Sequence, residues 1–218
     1  MLNGPHWQDP AAWLVEAEPV RAARERAVEL GCPSVPTEVA ATLRLVAALV
    51  GAKAIVEVGT GTGVSAAALL AGSAPDAMLT SIDIEAEHQR VARETLAQAG
   101  FEHAKVRLIA GRALSVLPRL SDGAYDLLLA DADPEDYPEV AGQAARLLRP
   151  GGVALFTSVS RSVEGETHER AMAALTTALR DADAWTSALI PLPDGLLVAC
   201  RRTPPDAGLR TEAKESGS

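Results

Sequence analysis

One stretch of this chain restricts its fold more than any other, namely residues 54–65, AIVEVGTGTGVS. The β-branched residues 54–58 predict a short buried strand of a parallel sheet. Gly59, Gly61 and Gly63 follow it directly, and an alanine-rich helix comes next. Glycines leave the turn without side chains, so a ligand can contact the backbone and the N–H groups that open the helix can point at it. This order of elements predicts a cofactor-binding α/β fold.

The spacing of these glycines distinguishes between two classes of cofactor. Dinucleotide-binding folds use G-x-G-x-x-G, whose third glycine allows close helix packing beside a pyrophosphate. Here Val64 occupies the position of the third glycine in that pattern, and the glycines run G-x-G-x-G instead. Glu57 stands two residues before the first glycine. A carboxylate at that point would repel a pyrophosphate but would hold an ammonium group. The pattern therefore favours S-adenosylmethionine, and an NAD-binding oxidoreductase is the disfavoured alternative.

Composition restricts the partners of the protein. With 218 residues, of which 48% are hydrophobic, the chain can bury one sizeable core, and we expect a single domain over residues 1–202. The net charge of −9 and the aromatic content of 3% argue against nucleic acid as a partner. No apolar run has the length of a membrane span, and the first residues do not resemble a signal peptide. We therefore expect a cytoplasmic protein without a membrane partner, in which Cys32 and Cys200 are buried thiols.

The remaining hydrophobic pattern predicts alternating helices and strands behind a helical preface at about residues 10–50. The core, over about residues 52–202, is predicted to have parallel strands at 54–58, 78–84, 104–110, 125–130 and 153–157, and an antiparallel pair at 185–191 and 195–201. Helices are predicted at 11–17, 19–30, 39–50, 64–71, 85–99, 114–120, 134–148 and 167–181. Residues 203–218 lack periodicity and are expected to be disordered.

Acidic residues follow two of the predicted strands at their carboxyl ends, where open α/β sheets bind ligands. Asp83 ends the second strand, 24 residues after Gly59, and is expected to accept hydrogen bonds from ribose hydroxyls. Asp131 directly follows the fourth strand and is placed in the catalytic neighbourhood, with Asp133 two residues later. The alternative for each is an ordinary surface acid near a helix start.

Residues at three further places in the chain can be interpreted from their neighbours in sequence. Residues 111–113, GRA, form a tight exit from the third strand and are predicted to contact the adenine, which makes Arg112 and Ala113 candidate cofactor residues. Glu135 and Asp136 are interpreted as acids that help to start the following helix. His88, on the helix after the second strand, is interpreted as a solvated side chain.

The chain resembles the S-adenosylmethionine-dependent O-methyltransferases of the catechol and caffeoyl-CoA type, and in particular a bacterial branch of them, over about residues 20–202. The most specific segments are VEVGTGTGVS, TSIDIE, GRA, DADP and LLRPGGV. The resemblance implies a Rossmann-like class I methyltransferase fold with a seven-stranded, mostly parallel sheet, helices on both faces and an antiparallel C-terminal strand pair. It also implies a homodimer, with Asp131 near the sulfonium and cofactor contacts at Val35, Glu57, Gly59, Thr60, Ser65, Asp83, Ile84 and Ala113.

The chain departs from this family where its metal-dependent members hold a divalent cation. Those members combine the acid after strand four, here Asp131, with an Asp-Asn pair after strand five, and this chain has Thr157 and Ser158 at the two positions. Hydroxyls offset the dehydration of a hard cation poorly. The catalytic lysine of the family falls at Pro134, and the substrate-holding acid of the catechol enzymes falls near Leu197. We therefore expect no tightly bound metal.

These observations predict a methyltransferase that acts on a small molecule, at an oxygen according to the resemblance. Without a metal to acidify the acceptor hydroxyl, Asp131 or Asp133 must serve as the base, or the acceptor must already be acidic. The alternative prediction is a protein that binds S-adenosylmethionine and has little or no transferase activity. Nothing in the sequence identifies the acceptor.

Overall fold

The computed structural model describes residues 15–101, 105–160, 165–181 and 183–203, and a seven-stranded sheet forms its centre. The strands are β1 (Ala54–Val58), β2 (Met78–Asp83), β3 (Val106–Ala110), β4 (Tyr125–Ala130), β5 (Leu148–Thr157), β6 (Trp185–Ile190) and β7 (Leu196–Arg201). Their spatial order is β3-β2-β1-β4-β5-β7-β6. Strands β1 to β5 are parallel, whereas β7 pairs antiparallel with both β5 and β6. The predicted sheet, including its antiparallel C-terminal pair, is confirmed.

Helices cover both faces of the sheet, as predicted. They are α1 (Glu18–Glu29), α2 (Thr37–Leu49), α3 (Val64–Gly72), α4 (Ala86–Gln98), α5 (Ala113–Val116), α6 (Tyr137–Leu147) and α7 (Glu166–Leu179), with 3-10 turns at Leu117–Arg119 and Pro134–Asp136. Helices α1 to α4 contribute to the apolar core on one face, and α6 and α7 to the core on the other. Among the described residues, no helix combines the length and the apolar character that crossing a bilayer requires.

Both faces of the sheet are apolar, and adjacent residues of one strand contribute to opposite faces. In β1, Ile55 belongs to the core under α1 to α4, whereas its neighbour Val56 belongs to the core under α6 and α7. The β4 residues Leu127 and Leu128 are divided in the same way, in register with Ile55 and Val56. Successive strand side chains point to opposite faces, so continuous apolar segments are required in a sheet that is covered on both sides.

Several predicted boundaries differ from the structure. Strand β5 begins at Leu148 instead of residue 153, because Leu148 pairs with Tyr125 before a register shift in the β4–β5 ladder. The helix predicted at 134–148 is a 3-10 turn followed by α6, which ends at Leu147. Residues 15–17 of the helix predicted at 11–17 are irregular, so that prediction is wrong there. Residues 1–14, 102–104, 161–164, 182 and 204–218 lie outside the described residues, including most of the predicted tail.

The strand order places a topological switch between β1 and β4. From β1 the chain builds the sheet outward through β2 and β3, and then returns to add β4 on the other side of β1. In open α/β sheets, ligands bind beyond the carboxyl ends of the strands at such a switch. The glycine turn after β1 and Asp131 after β4 flank this point, where Asp131 N donates to Val58 O at 2.8 Å.

Candidate active site

A cavity of about 480 Å³ lies at the switch point. Five segments line it, namely residues 32–35, the turn after β1 with the start of α3, the end of β2 with the start of α4, residues 111–115, and residues 131–133 with Asp136. Its volume is that of a typical small-molecule or cofactor site. The residues predicted from the sequence that line it are Val35, Gly59, Thr60, Gly61, Ser65, Asp83, Ile84, Arg112, Ala113, Asp131 and Asp133. Glu57 and Gly63 were also predicted, but both are buried and neither lines the cavity.

The glycine turn brings β1, β4 and α4 closer together than side chains would allow. Gly59 has a φ of +92°, and a Cβ placed on it would lie 1.9 Å from the carbonyl oxygen of Asp131. Gly63 has a φ of +90° at the N-cap of α3, where a Cβ would lie 3.1 Å from Cα of Ala92. The first glycine therefore sets the approach to strand β4, and the third sets the packing of α3 on α4.

Asp83 fixes the turn as well as lining the cavity. Its Oδ2 accepts a hydrogen bond from Gly61 N and its Oδ1 accepts one from Glu85 N, both at 2.9 Å. His88 Nδ1 lies 3.5 Å from the same Oδ1. The interpretation of His88 as a solvated side chain is wrong: its side chain is only 18% exposed and lines the cavity, because the first turn of α4 starts directly behind Asp83.

Glu57 is a buried acid held by two hydroxyl groups. Ser65 Oγ donates to its Oε1 at 2.7 Å, and Ser81 Oγ donates to its Oε2 at 2.5 Å. Burial raises the pKa of Glu57 to about 8, an effect that these two hydrogen bonds oppose and the nearby carboxylates of Asp131 and Asp83 reinforce. Ser65 lines the cavity whereas Glu57 does not, so a ligand in the cavity would contact Ser65 and not Glu57 itself.

Residues 32–35 line the cavity and are held in place by hydrogen bonds from helix α1. Arg24 of α1 donates to Val35 O and, at 3.2 Å, to Ser34 Oγ. The same guanidinium forms a two-bond ion pair with Glu16, at 2.6 and 2.7 Å. Cys32 lines the cavity beside Asp83, and burial, reinforced by that carboxylate, raises the pKa of its thiol. The helical preface thus supplies one wall of the cavity.

Asp131, which lines the cavity, accepts a hydrogen bond from a buried hydroxyl group. Thr157 Oγ1, at the end of β5, donates to Asp131 Oδ1 at 2.5 Å. Burial raises the pKa of Asp131 to about 6, and the hydrogen bond from Thr157 opposes that rise. Tyr137 lies beside this pair and is 1% exposed, with its hydroxyl 3.3 Å from Ala132 O. A carboxylate with such a pKa can accept a proton near neutral pH.

Comparison with known proteins identifies the family. The family model described as O-methyltransferase matches residues 17–203. This chain belongs to the O-methyltransferase family. A protein of Mycobacterium sp. strain JLS, provisionally named as an O-methyltransferase, is 45% identical over 188 residues, which are 84% of this chain and 86% of the relative. A protein of Mycobacteroides abscessus with the same provisional name is 46% identical over 194 residues, 86% of this chain and 90% of the relative.

Solved structures agree with this assignment. A protein of Corynebacterium glutamicum superposes with a TM-score of 0.81 at 26% identity, covering 88% of this chain and 94% of that one. The O-methyltransferase TomG of Streptomyces achromogenes, which is involved in tomaymycin synthesis and was crystallised with S-adenosylmethionine, superposes with a TM-score of 0.79 at 27% identity. That match covers 87% of this chain and 92% of TomG.

The three positions at which the resemblance implies a divalent cation do not form a fitting donor set in this chain. The positions implied by the resemblance are Asp131, Thr157 and Ser158, and the Thr157 hydroxyl donates a hydrogen bond to Asp131 Oδ1. One carboxylate and two neutral hydroxyls suit a hard cation poorly. In the described part of the chain, no group of three or more His, Cys, Asp or Glu side chains could hold a metal ion.

Several residues that line the cavity are not predicted by the sequence. Cys32 and His88 lie in the cavity walls, and so does Asp136, which the sequence marks only as a helix-start acid. Ser81 does not line the cavity, but it binds Glu57. His88 could have been suspected from its place in the first turn of the helix after Asp83. No pattern in the sequence points to Ser81, because its partner lies 24 positions away on the neighbouring strand.

Proposed function

We propose that this protein methylates a hydroxyl group of a small-molecule acceptor with S-adenosylmethionine as the donor and without a resident divalent cation. Its reaction class is that of its family, S-adenosylmethionine-dependent O-methylation. The observation that carries the proposal is the joint placement of the glycine turn, Asp83 and Asp131 around one cavity at the switch point. A protein that only binds the cofactor is not favoured, because Asp131, our candidate for the base, lines the same cavity.

The residues present fit the cofactor. Asp83 keeps lone pairs for ribose hydroxyls after accepting from Gly61 N and Glu85 N. Arg112 and Ala113 line the part of the cavity that we assign to the adenine. The acids around the cavity favour a cation, and Ser65 with Glu57 behind it is our candidate for the ammonium group. The assignment of each contact is a proposal that follows the resemblance.

The protein has two tasks in this reaction, alignment and proton removal. When bound, S-adenosylmethionine supplies a methyl group on a positively charged sulfur, which leaves as a neutral thioether. Thr60, Val35 and the glycine turn would hold the donor, and the cavity walls would exclude water from it. Asp131, with its pKa raised to about 6 by burial, would remove the acceptor proton, and Asp133 is the second candidate for this role.

S-Adenosylmethionine and S-adenosylhomocysteine should stabilise the protein against heat, whereas NAD should not. At a ligand concentration of about 100 times Kd, the free energy of unfolding should rise by roughly 2.7 kcal/mol. For a domain of this size that corresponds to a Tm increase on the order of 5–11 °C. Differential scanning fluorimetry with the three ligands measures the shift. Equal Tm values with and without both sulfur ligands would refute the cofactor assignment.

Methyl transfer should survive the removal of divalent metal. Mg²⁺ requires near-ideal octahedral oxygen coordination and gives up its waters reluctantly, and Asp131 is the single carboxylate among the three matched positions. Turnover of a phenolic acceptor should be the same in excess EDTA as with added Mg²⁺ or Mn²⁺. Activity that disappears with EDTA and returns with metal would mean that Thr157 and Ser158 bind a cation through hydroxyls and bridging waters.

We propose further that residues 1–202 act as one domain and that the protein is a cytoplasmic homodimer. The match of the family model to residues 17–203 supports the single domain. Cys32 and Cys200 are both free, half-buried thiols, in keeping with a reducing compartment. Leu45 and Leu49 of α2 are 57% and 75% exposed one turn apart, as expected for part of a subunit contact. Sedimentation velocity would measure the oligomeric state.

A further inference from the structure

Two adjacent strand ends bring Thr157 to Asp131. In the parallel ladder of β4 and β5, Ala130 is in register with Phe156, so the next residues of the two strands are neighbours. The Thr157 hydroxyl donates to Asp131 Oδ1 at 2.5 Å and lies 3.4 Å from Ala130 O. Thr157 is 3% exposed. The contact is therefore built into the sheet and does not depend on a surface loop.

The second carboxylate oxygen of Asp131 is open to the cavity. Among the hydrogen bonds of the described residues, Thr157 is the donor to Oδ1, and no donor reaches Oδ2. Within that same part of the chain, every buried side-chain nitrogen or oxygen has a partner. Oδ2 is therefore accessible, and the surface that Asp131 exposes is a wall of the cavity.

Tyr137 packs beside this pair. Its ring lies edge-on against Phe156, with centroids 5.4 Å apart, and its hydroxyl donates to Ala132 O at 3.3 Å. Of the two acceptors near the Thr157 hydroxyl, Asp131 Oδ1 at 2.5 Å is closer than Ala130 O at 3.4 Å. The Thr157 proton is therefore directed at Asp131.

We propose that Thr157 is a positioning residue that occupies Oδ1 of Asp131 and so presents Oδ2 as the oxygen that takes the proton of the methyl acceptor. The inference rests on the proposed function. In the step concerned, the acceptor O–H bond breaks, the proton bonds to Oδ2, and the electron pair stays on the acceptor oxygen. Without Thr157 the carboxyl group could rotate about its terminal torsion, whose preferences are broad, and both oxygens would compete for the acceptor.

The matched variants Thr157→Val and Thr157→Ser test this role. Valine keeps the shape and removes the hydroxyl, whereas serine keeps the hydroxyl and removes the methyl group. With catechol as acceptor, kcat of Thr157→Val should fall about 100-fold, the size of effect expected from loss of alignment. Thr157→Ser should restore most of kcat. The Kd of S-adenosylhomocysteine, measured by calorimetry, should stay at the wild-type value in both, because Thr157 itself does not line the cavity.

Equal kcat values for the valine and serine variants would overturn the inference, and so would a loss of cofactor affinity that matches the loss of kcat. A valine variant that does not fold would be replaced by Thr157→Ala.

The carboxyl carbon signal of Asp131 in ¹³C NMR, assigned with Asp131→Asn, tests the contact without an acceptor. Loss of the Thr157 donor should raise the pKa of Asp131 in the valine variant only, and an unchanged titration would refute the contact. Absence of wild-type turnover with all phenols tried would count against the proposed function, and the NMR result would still decide the role of Thr157.

Discussion

Gly59→Ala is expected to destabilise the protein and to prevent cofactor binding. The added Cβ would lie 1.9 Å from the carbonyl oxygen of Asp131, and an alanine would have to adopt a φ of +92°. The strained backbone costs about 1–2 kcal/mol, and overpacking against a backbone atom costs about 1–3 kcal/mol more. We expect the free energy of unfolding, measured with urea, to fall by about 2–5 kcal/mol. The β1 and β4 ends must separate to fit the methyl group, which distorts both walls of the cavity.

Gly51→Ala provides the control for backbone strain alone. Gly51 also has a positive φ, +58°, but a Cβ placed on it meets no atom within 4 Å. This variant should lose about 1–2 kcal/mol and should bind S-adenosylhomocysteine normally, since Gly51 does not line the cavity. If the two variants were equally stable, the close approach of Gly59 to β4 would have no energetic importance, and steric contact with Asp131 would not explain the glycine at this position.

Asp83→Ala is expected to weaken cofactor binding by about 10- to 150-fold. A hydrogen bond to a charged group contributes about 1.5–3 kcal/mol, and every 1.4 kcal/mol corresponds to a factor of about ten in Kd. The substitution removes the proposed acceptor of the ribose hydroxyls and also frees Gly61 N, which Asp83 binds at 2.9 Å. Isothermal titration calorimetry with S-adenosylhomocysteine measures the change in Kd.

The matched control is Glu87→Ala, which removes the same charge four positions away. Glu87 pairs with Arg90 on the exposed side of α4 and does not line the cavity. Its loss should leave the Kd within experimental error, because exposed ion pairs contribute little. Unchanged affinity in Asp83→Ala would place the ribose elsewhere in the cavity. An equal loss in both variants would indicate a general charge effect instead of a specific contact.

The sequence was sufficient to predict the sheet and the position of the cavity, because both depend on local patterns. Continuous β-branched segments mark strands that are buried on both faces, and the glycines after β1 mark the one turn that a ligand can approach. Strand β4 was predicted with both of its boundaries correct. The start of β5 was missed, because its pairing with Tyr125 depends on an irregularity in the β4–β5 ladder.

The contacts within the site could not be predicted, because they join residues that are distant in sequence. Thr157 and Asp131 are 26 positions apart, and only the register of β4 against β5 brings them together. His88 is a different case, since its helix was predicted but the direction of its side chain was not. A helical wheel shows which residues share a face, but the packing of α4 against the end of β2 decides which face meets the cavity.

Glu57 is a buried carboxyl group directly behind Ser65 of the cavity wall, and its raised pKa bears on how the cofactor binds. With its pKa raised to about 8 by burial, this carboxyl group is mostly neutral at pH 7 in the cofactor-free protein. A nearby cation favours the ionised form of a carboxyl group, so an ammonium group bound beside Ser65, as we propose, would drive the Glu57 proton into solvent. Affinity would then increase with pH until Glu57 is ionised before binding as well, near its pKa of about 8. On this proposal the cofactor-free and cofactor-bound proteins would differ in their proton content, and loading the donor would itself be an acid–base reaction.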